Sequence, residues 1–231
     1  MSTRRMAVLW DLDGTLVDSQ ADIFDCLCSS VEAAGLPVEK IREQLRIGPT
    51  VDVLIRQAFP EISVPCLTAV IAGFRKLYDY SDFPQTAPFV GIDSLVRSIP
   101  FADQFIITNK PQLPCARIIR KFKWDHIFKG VYTPDIIGPT RRLTKTELFV
   151  RVIREHRLVV RECLAVGDTV GDIQAAHAAD IRAIGVSWGY NLRHELARAN
   201  AEAVAVSVEE LFALLNAHPA PPCLGEEALL Q

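Results

Sequence analysis

The chain has 231 residues, a length that fits one domain with a large insertion or two small domains. Apolar residues make up 49%, enough for a sizeable core, and the formal net charge of −3 excludes the clustered basic footprint of a nucleic-acid binder. No apolar run approaches the roughly 18 residues of a membrane span. The apolar stretch after Met1-Ser-Thr-Arg-Arg5 ends at Asp11, too short for a signal peptide, so the chain reads as soluble and cytoplasmic. Six cysteines stand at 26, 28, 66, 115, 163 and 223 without a CxxC pair, most of them inside apolar segments. They read as reduced thiols that pack as small hydrophobes. The five histidines are scattered without zinc-ligand spacing.

In chain order, Met6 to Trp10 is a short apolar run and predicts a buried strand. Ala21 to Ala34 carries Ile23, Leu27 and Val31 at helical spacing and stops at Gly35-Leu-Pro37. Helical pieces follow near 38–45, 50–59 and 66–80, broken by Gly48-Pro49, Pro60 and Pro65. After Phe83-Pro84 the texture changes. Gly91 to Ser98 predicts a helix, Gln104 to Thr108 a strand, Leu113 to Phe122 a helix and Ile127 to Tyr132 a short strand. Lys145 to His156 predicts a strong helix and Cys163 to Val166 a strand. Ile173 to Ala179 predicts a helix, Arg182 to Val186 a strand and Val206 to Leu215 a helix. Strands alternating with helices imply a doubly wound parallel α/β sheet covered on both faces. The helical stretch 16–84 reads as an inserted second domain, with residues 1–15 and 85–217 as the core. Residues 218–231, opening His-Pro-Ala-Pro-Pro, lack periodicity and read as a loose tail. Residues 14–16 and 81–84 are the expected hinges between the two parts.

The densest chemical signal is Asp11-Leu-Asp13-Gly14-Thr15-Leu-Val-Asp18-Ser19 at the end of the first strand. Asp11 and Asp13 are two apart and project to the same side. Carboxylates that close raise each other's pKa unless a cation lies between them, and Gly14 lets the backbone turn away. An Asp-Gly turn alone is ordinary, but Asp-x-Asp-Gly-Thr arises by chance in roughly one chain in a thousand of this length. The segment resembles the first motif of the haloacid dehalogenase-like hydrolases. Three further segments are similar to that family's later motifs, in order: Ile106-Ile-Thr108-Asn109-Lys110, then Lys145 opening a helix, then Val166-Gly167-Asp168-Thr-Val-Gly-Asp172. The resemblance covers about residues 6–190. Thr146 follows Lys145 where the family often has Pro.

Residues 11, 108, 145 and 168 belong to four different strand–helix units, and in an open parallel sheet ligands bind at the carboxyl ends of the strands. An all-oxygen donor set from Asp11, Asp13, Asp168 and Asp172 suits a hard cation, Mg²⁺. The resemblance implies a helical cap, a phosphomonoester substrate and a definite set of roles. Asp11 is the nucleophile that forms an aspartyl-phosphate, and Asp13 is general acid and then general base. Mg²⁺ is ligated by the Asp11 carboxylate, the Asp13 backbone carbonyl and the Asp168 side chain. Asp172 orients a metal-bound water or Lys145. Thr108 and the Asn109 N–H hold the phosphoryl oxygens, and Lys145 neutralises charge on them, with Lys110, Arg141 and Arg142 as competing cations. Thr15 and Asp18 read alternatively as helix starters.

The layout, including the closing Gly185-Val-Ser-Trp-Gly-Tyr190, is similar to the phosphoglycolate phosphatases. Arg46 and Arg56 are candidates for a substrate carboxylate. Pyrophosphatases, 5'-nucleotidases and phosphomutases of the same fold remain alternatives. A phosphonate-cleaving relative needs a cap lysine, but Lys40 and Lys76 lie away from the loop Arg46-Ile-Gly48-Pro-Thr50. Gly185-Val-Ser187-Trp-Gly189 also matches the nucleophile elbow of serine esterases, yet no Asp follows Ser187 and the remaining histidines are only His194 and His218. The partner expected is a small phosphorylated metabolite, with no nucleic acid and no membrane, for a monomer or homodimer.

Overall fold

In the computed structural model, which describes residues 6–44, 50–99, 102–138 and 141–217, the first apolar run forms strand β1 (Met6–Trp10) and all five residues are buried. Alternation along the strand divides them between two cores. Met6, Val8 and Trp10 face one side of the sheet, and Ala7 and Leu9 face the other. After β1 the chain forms β2 (Val17–Asp18) and leaves the sheet through α1 (Gln20–Ala33), α2 (Glu39–Gln44), α3 (Val51–Ala58) and α4 (Val64–Tyr78). It returns through β3 (Ala87–Pro88) and α5 (Ile92–Ser98) to β4 (Ala102–Ile107). Then follow α6 (Gln112–Lys121), β5 (Gly130–Tyr132), α7 (Lys145–His156), β6 (Cys163–Gly167) and α8 (Val170–His177). The last elements are β7 (Arg182–Val186), α9 (Arg193–Arg198), β8 (Ala203–Ala205) and α10 (Val208–Ala217). Gly48-Pro49 and residues 218–231, read above as a break and a loose tail, lie outside the described residues.

Six strands form one parallel sheet in the order β5-β4-β1-β6-β7-β8. β1 and β6 are the central pair, with Trp10 beside both Ile106 and Val166. This register brings the ends of β1, β4 and β6 level, which sets the position of the site. Trp10 is completely buried, so its indole N–H needs a partner. It donates to Gln104 Oε1 at 3.1 Å, and the Gln104 amide donates to the Val96 carbonyl at 2.8 Å.

The helices between β2 and β3 pack on one another, α1 against α4 and α3 against both α2 and α4. Ile23, Leu27 and Val31 on α1 are buried, as their spacing predicts. α4 is capped by Ser63, whose hydroxyl accepts from Cys66 N, and Pro65 sits in its first turn, where proline is tolerated. α7 matches its predicted bounds because Thr144 and Glu147 form a capping box. α8 starts three residues before its predicted start, because Thr169 and Asp172 form a second capping box. β5 is shorter than predicted. Ile127 N turns back to Trp124 O, and pairing with β4 begins only at Gly130.

The two crossings of the chain are tied together. β2 and β3 pair antiparallel, Val17 beside Pro88 and Asp18 beside Ala87. The buried Asp22 carboxylate accepts from Thr86 N at 2.7 Å, Thr86 Oγ1 at 2.6 Å and Gln85 N at 3.1 Å. α6 holds the same segment: Arg117 donates to Ser81 O, and Lys121 to the carbonyls of Phe83 and Thr86. No helix among the described residues is long and apolar enough to cross a membrane. Asp22→Ala leaves the Gln85 and Thr86 amides without their acceptor. Chemical denaturation is expected to show a loss of about 2–4 kcal/mol, and a loss within error of zero would contradict this account of the crossing.

Candidate active site

Asp11 is the first residue beyond β1. Its amide donates to Val166 O at 2.9 Å, which extends the β1–β6 register by one residue and fixes the Asp11 backbone. The chain then turns sharply, with Gly14 N donating to Val17 O at 2.8 Å. Gly14 has φ +85°, a region costly for residues with a Cβ, and a Cβ there would overlap the Asp168 carboxylate. Gly189 approaches the same aspartate from the other side, and a Cβ on it would overlap both Asp168 and the Gly14 carbonyl. Asp168 is thus enclosed by backbone and is fully buried. It accepts from Thr15 Oγ1 at 3.0 Å and from Tyr190 N at 2.8 Å.

Lys145 is the first residue of α7 and is buried. Its ammonium donates to Asp11 Oδ1 at 2.6 Å and to Asp172 Oδ1. The other Asp172 oxygen accepts from Thr169 N at 2.9 Å and Thr169 Oγ1 at 2.8 Å. Asp172 therefore anchors the lysine with one oxygen while capping α8 with the other. Burial lowers the affinity of Lys145 for its proton, but Asp11 and Asp172 more than offset this and hold it above its ordinary pKa.

Asp11, Asp168 and Asp172 each place a carboxylate oxygen within 4.8 Å of the others, and all three are buried. Burial pushes the Asp11 pKa up to about 7, with Lys145 opposing and Asp172 adding to the rise. Burial, then Asp172 and Asp11, hold Asp168 well above the usual carboxylate range. One ammonium does not neutralise three carboxylates. The deficit is of the size and hardness that a small divalent cation with oxygen ligands removes, so the donor set fits such an ion. The Asp13 carboxylate stands outside this cluster. Its Oδ1 meets Lys110 Nζ at 2.9 Å and the Ser19 hydroxyl at 2.5 Å.

Thr108 and Asn109 follow β4. Thr108 N continues the pairing to Tyr132 O at 3.0 Å, and its hydroxyl accepts from Lys110 N at 3.1 Å. Both residues border a cavity of about 330 Å³ with Asp11, Asp13 and Lys110. Its opposite wall comes from α1, α3 and α4 and includes Ile23, Leu54, Ile71 and Phe74. The sequence-predicted residues Asp11, Asp13, Thr108, Asn109, Lys145 and Asp168 are thus gathered at the carboxyl edge of β1, β4 and β6.

Residues 8–186 match the family model described as haloacid dehalogenase-like hydrolase. The chain belongs to the haloacid dehalogenase-like hydrolase family. Among curated relatives, a phosphoglycolate phosphatase of Photobacterium profundum is 28% identical over 222 residues, 89% of this chain and 93% of the relative. One of Xylella fastidiosa is 29% identical over 190 residues, 79% of this chain and 80% of the relative. The same fold occurs in a structure described as a predicted phosphatase from Clostridium acetobutylicum, with TM-score 0.80 and 22% identity over 93% of this chain and 100% of that one. It also occurs in a haloacid dehalogenase-like hydrolase from Streptococcus pneumoniae, with TM-score 0.80 and 21% identity over 93% and 99% of the two chains.

In this haloacid dehalogenase-like hydrolase the four candidate cations have different surroundings. Lys145 is on Asp11, Lys110 is on Asp13, Arg141 pairs with Glu147 at 2.7 Å, and Arg142 borders the cavity. Arg56 is exposed and outside the cavity lining, and Arg46 lies outside the described residues. Lys40 sits over the Phe59 ring and Lys76 is exposed, so neither borders the cavity. Ser187 donates to the Ala205 carbonyl at 3.2 Å, and no hydrogen bond among the described residues joins it to a histidine. Two contributors escaped the sequence reading. Thr15 and the Tyr190 amide both hold Asp168, though Thr15 read equally as a helix starter and a backbone donor has no sequence signature.

The Asp11 carboxyl titrates near 7 in the folded protein against 3.8 for an ordinary aspartate. Across that window the folded state holds the extra proton, so stability without a divalent cation is expected to fall as pH rises. Asp11→Asn is expected to reduce this slope, the remainder coming from Asp168, whose carboxyl is raised as well. In EDTA near pH 8 the variant should be more stable than the wild type by about 1–2 kcal/mol in urea denaturation. A wild-type profile flat between pH 4 and 7 would contradict the origin assigned to the shift.

Proposed function

We propose that this protein is a Mg²⁺-dependent phosphatase of small phosphomonoesters, similar to the phosphoglycolate phosphatases, that works through an aspartyl-phosphate on Asp11 in the cytoplasm. The observation that carries the reading is the buried Asp11 with Lys145 at 2.6 Å and Asp168 and Asp172 beside it, opening on a cavity bordered by Thr108 and Asn109. Asp11 and Asp168, with the Asp13 backbone carbonyl, would hold Mg²⁺. When bound, the ion supplies charge neutralisation between the nucleophile and the incoming dianion.

An Asp11 oxygen attacks phosphorus, the bond to the ester oxygen breaks, and the departing oxygen takes a proton from Asp13. Asp13 then removes a proton from water as that water attacks the phosphorus. The Asp11–phosphorus bond breaks and inorganic phosphate leaves. Lys145 and Thr108, with the Asn109 N–H, balance charge on the transferring group. The helices of residues 16–84 act as a cap that excludes water, and residues 1–15 and 85–217 form the catalytic core. Gly14 to Leu16 and Ser81 to Pro84 are its hinges. The tether of Ser81 and Phe83 to Arg117 and Lys121 makes the second a stiff one.

Phosphate release from phosphoglycolate, pyrophosphate, nucleoside monophosphates and hexose phosphates tests this reading. Turnover is expected to require Mg²⁺ and to fall at least about a thousandfold in Asp11→Asn. Asp168→Asn is expected to weaken Mg²⁺ binding, followed by calorimetry, by about a hundredfold. A folded, Mg²⁺-loaded wild type inert on every ester would overturn the phosphatase reading.

A further inference from the structure

Lys110 is a second buried lysine, apart from the carboxylate cluster, with its side chain 3% exposed. Its ammonium bridges two parts of the molecule. It lies 2.9 Å from Asp13 Oδ1 on the core side and donates to the Tyr78 hydroxyl at 2.6 Å on the helical side. It also stands 4.6 Å from the centre of the Tyr78 ring, a cation–π distance.

Tyr78 is itself immobilised. It ends α4, stacks on Phe74 with ring centres 5.1 Å apart, and meets Phe83 edge-on at 5.2 Å. The backbone of Lys110 is held by Thr108, whose hydroxyl accepts its amide. With both ends set, the ammonium has one place to sit.

The two oxygens of Asp13 are treated unequally. Oδ1 receives Lys110 and the Ser19 hydroxyl, while among the described residues Oδ2 has no hydrogen-bond donor. A carboxylate pinned by one oxygen loses its rotation and presents the other in a fixed direction. Proton transfer depends steeply on that direction.

We infer that Lys110 is a positioning residue. It holds Asp13 by Oδ1 so that Oδ2 meets the leaving group, and through Tyr78 it links that orientation to the seating of helix α4 over the site. The inference rests on the proposed acid–base role of Asp13.

The test compares an alkyl ester with an aryl ester. An alkoxide needs a proton to leave and p-nitrophenolate does not, so a misdirected Asp13 penalises the first far more. kcat and kcat/KM would be measured for phosphoglycolate, or the alkyl monoester that the wild type turns over fastest, and for p-nitrophenyl phosphate. Asp13→Asn serves as the reference. Lys110→Met keeps the buried stem and removes both polar contacts. It is expected to lose about a hundredfold in kcat/KM on the alkyl ester and only a fewfold on the aryl ester. Tyr78→Phe keeps the ring stack, and should shift the same ratio in the same direction by about tenfold. If Lys110→Met fails to fold by circular dichroism, Tyr78→Phe decides alone. Equal losses on the two esters, or losses confined to KM, would overturn the inference. An Asp13→Asn variant with no leaving-group dependence would instead remove the acid role on which it rests.

Discussion

Three buried carboxylates meet within 4.8 Å of one another, and most local features of the core answer to that repulsion. Asp11 and Asp168 stand beyond the two central strands of the sheet, and Asp172 stands in the first turn of α8. Such a cluster does not form by chance collapse, because each buried anion costs several kcal/mol unless it is paired or hydrogen-bonded. The strand register holds Asp11, two glycines let the backbone close around Asp168, and Lys145 enters between Asp11 and Asp172. Asp172 spends its remaining oxygen on the α8 cap. The charge left over is what makes the cluster suited to a divalent cation, so the site stores a destabilisation that binding would release.

How much of this was legible in the sequence depends on the range of the interaction. β1 was legible because a strand buried on both faces reads as an unbroken apolar run. α7 was legible to the residue because its cap is local, Thr144 to Glu147. α8 begins three residues before the apolar pattern predicts, because Asp172, a candidate for the site chemistry, also completes a cap with Thr169 that apolar periodicity does not register. The β2–β3 ribbon has two residues per strand and therefore no period to detect. β8 and α9 are likewise short, and their place at the sheet edge is decided by the pairing of β8 with β7 and the packing of α9 on both strands.

The site was legible where the acidic residues follow strands, since the sheet brings strand ends together whatever the distance along the chain. It was not legible where partners meet across layers. Lys110 and Tyr78 are 32 residues apart and Asp22 and Thr86 are 64 apart, with no spacing rule linking either pair. Lys110 read only as a competitor for the role of Lys145, because a sequence counts cations without showing which carboxylate each one faces.

The cavity has two unlike walls, and that contrast divides the work. The sheet edge supplies charge and hydrogen-bond donors, which suit a phosphoryl group that is alike in every phosphomonoester. The helical wall combines apolar Ile23, Leu54, Ile71 and Phe74 with Thr50, Asp52 and Arg75, and on the proposed function it would meet the part of the substrate that differs. Asp13 lies where the walls join. On the proposed mechanism it must give a proton to the leaving group and later take one from water, so it needs contact with both sides and with solvent. Its side chain is 16% exposed against 9% for Asp11. The nucleophile needs only a fixed direction and a dry environment, and its deeper burial provides both. Placing the acid–base group at the seam, held by Ser19 ahead of α1 and, through Lys110 of the sheet edge, by Tyr78 at the end of α4, makes proton transfer on that mechanism depend on the two walls being together.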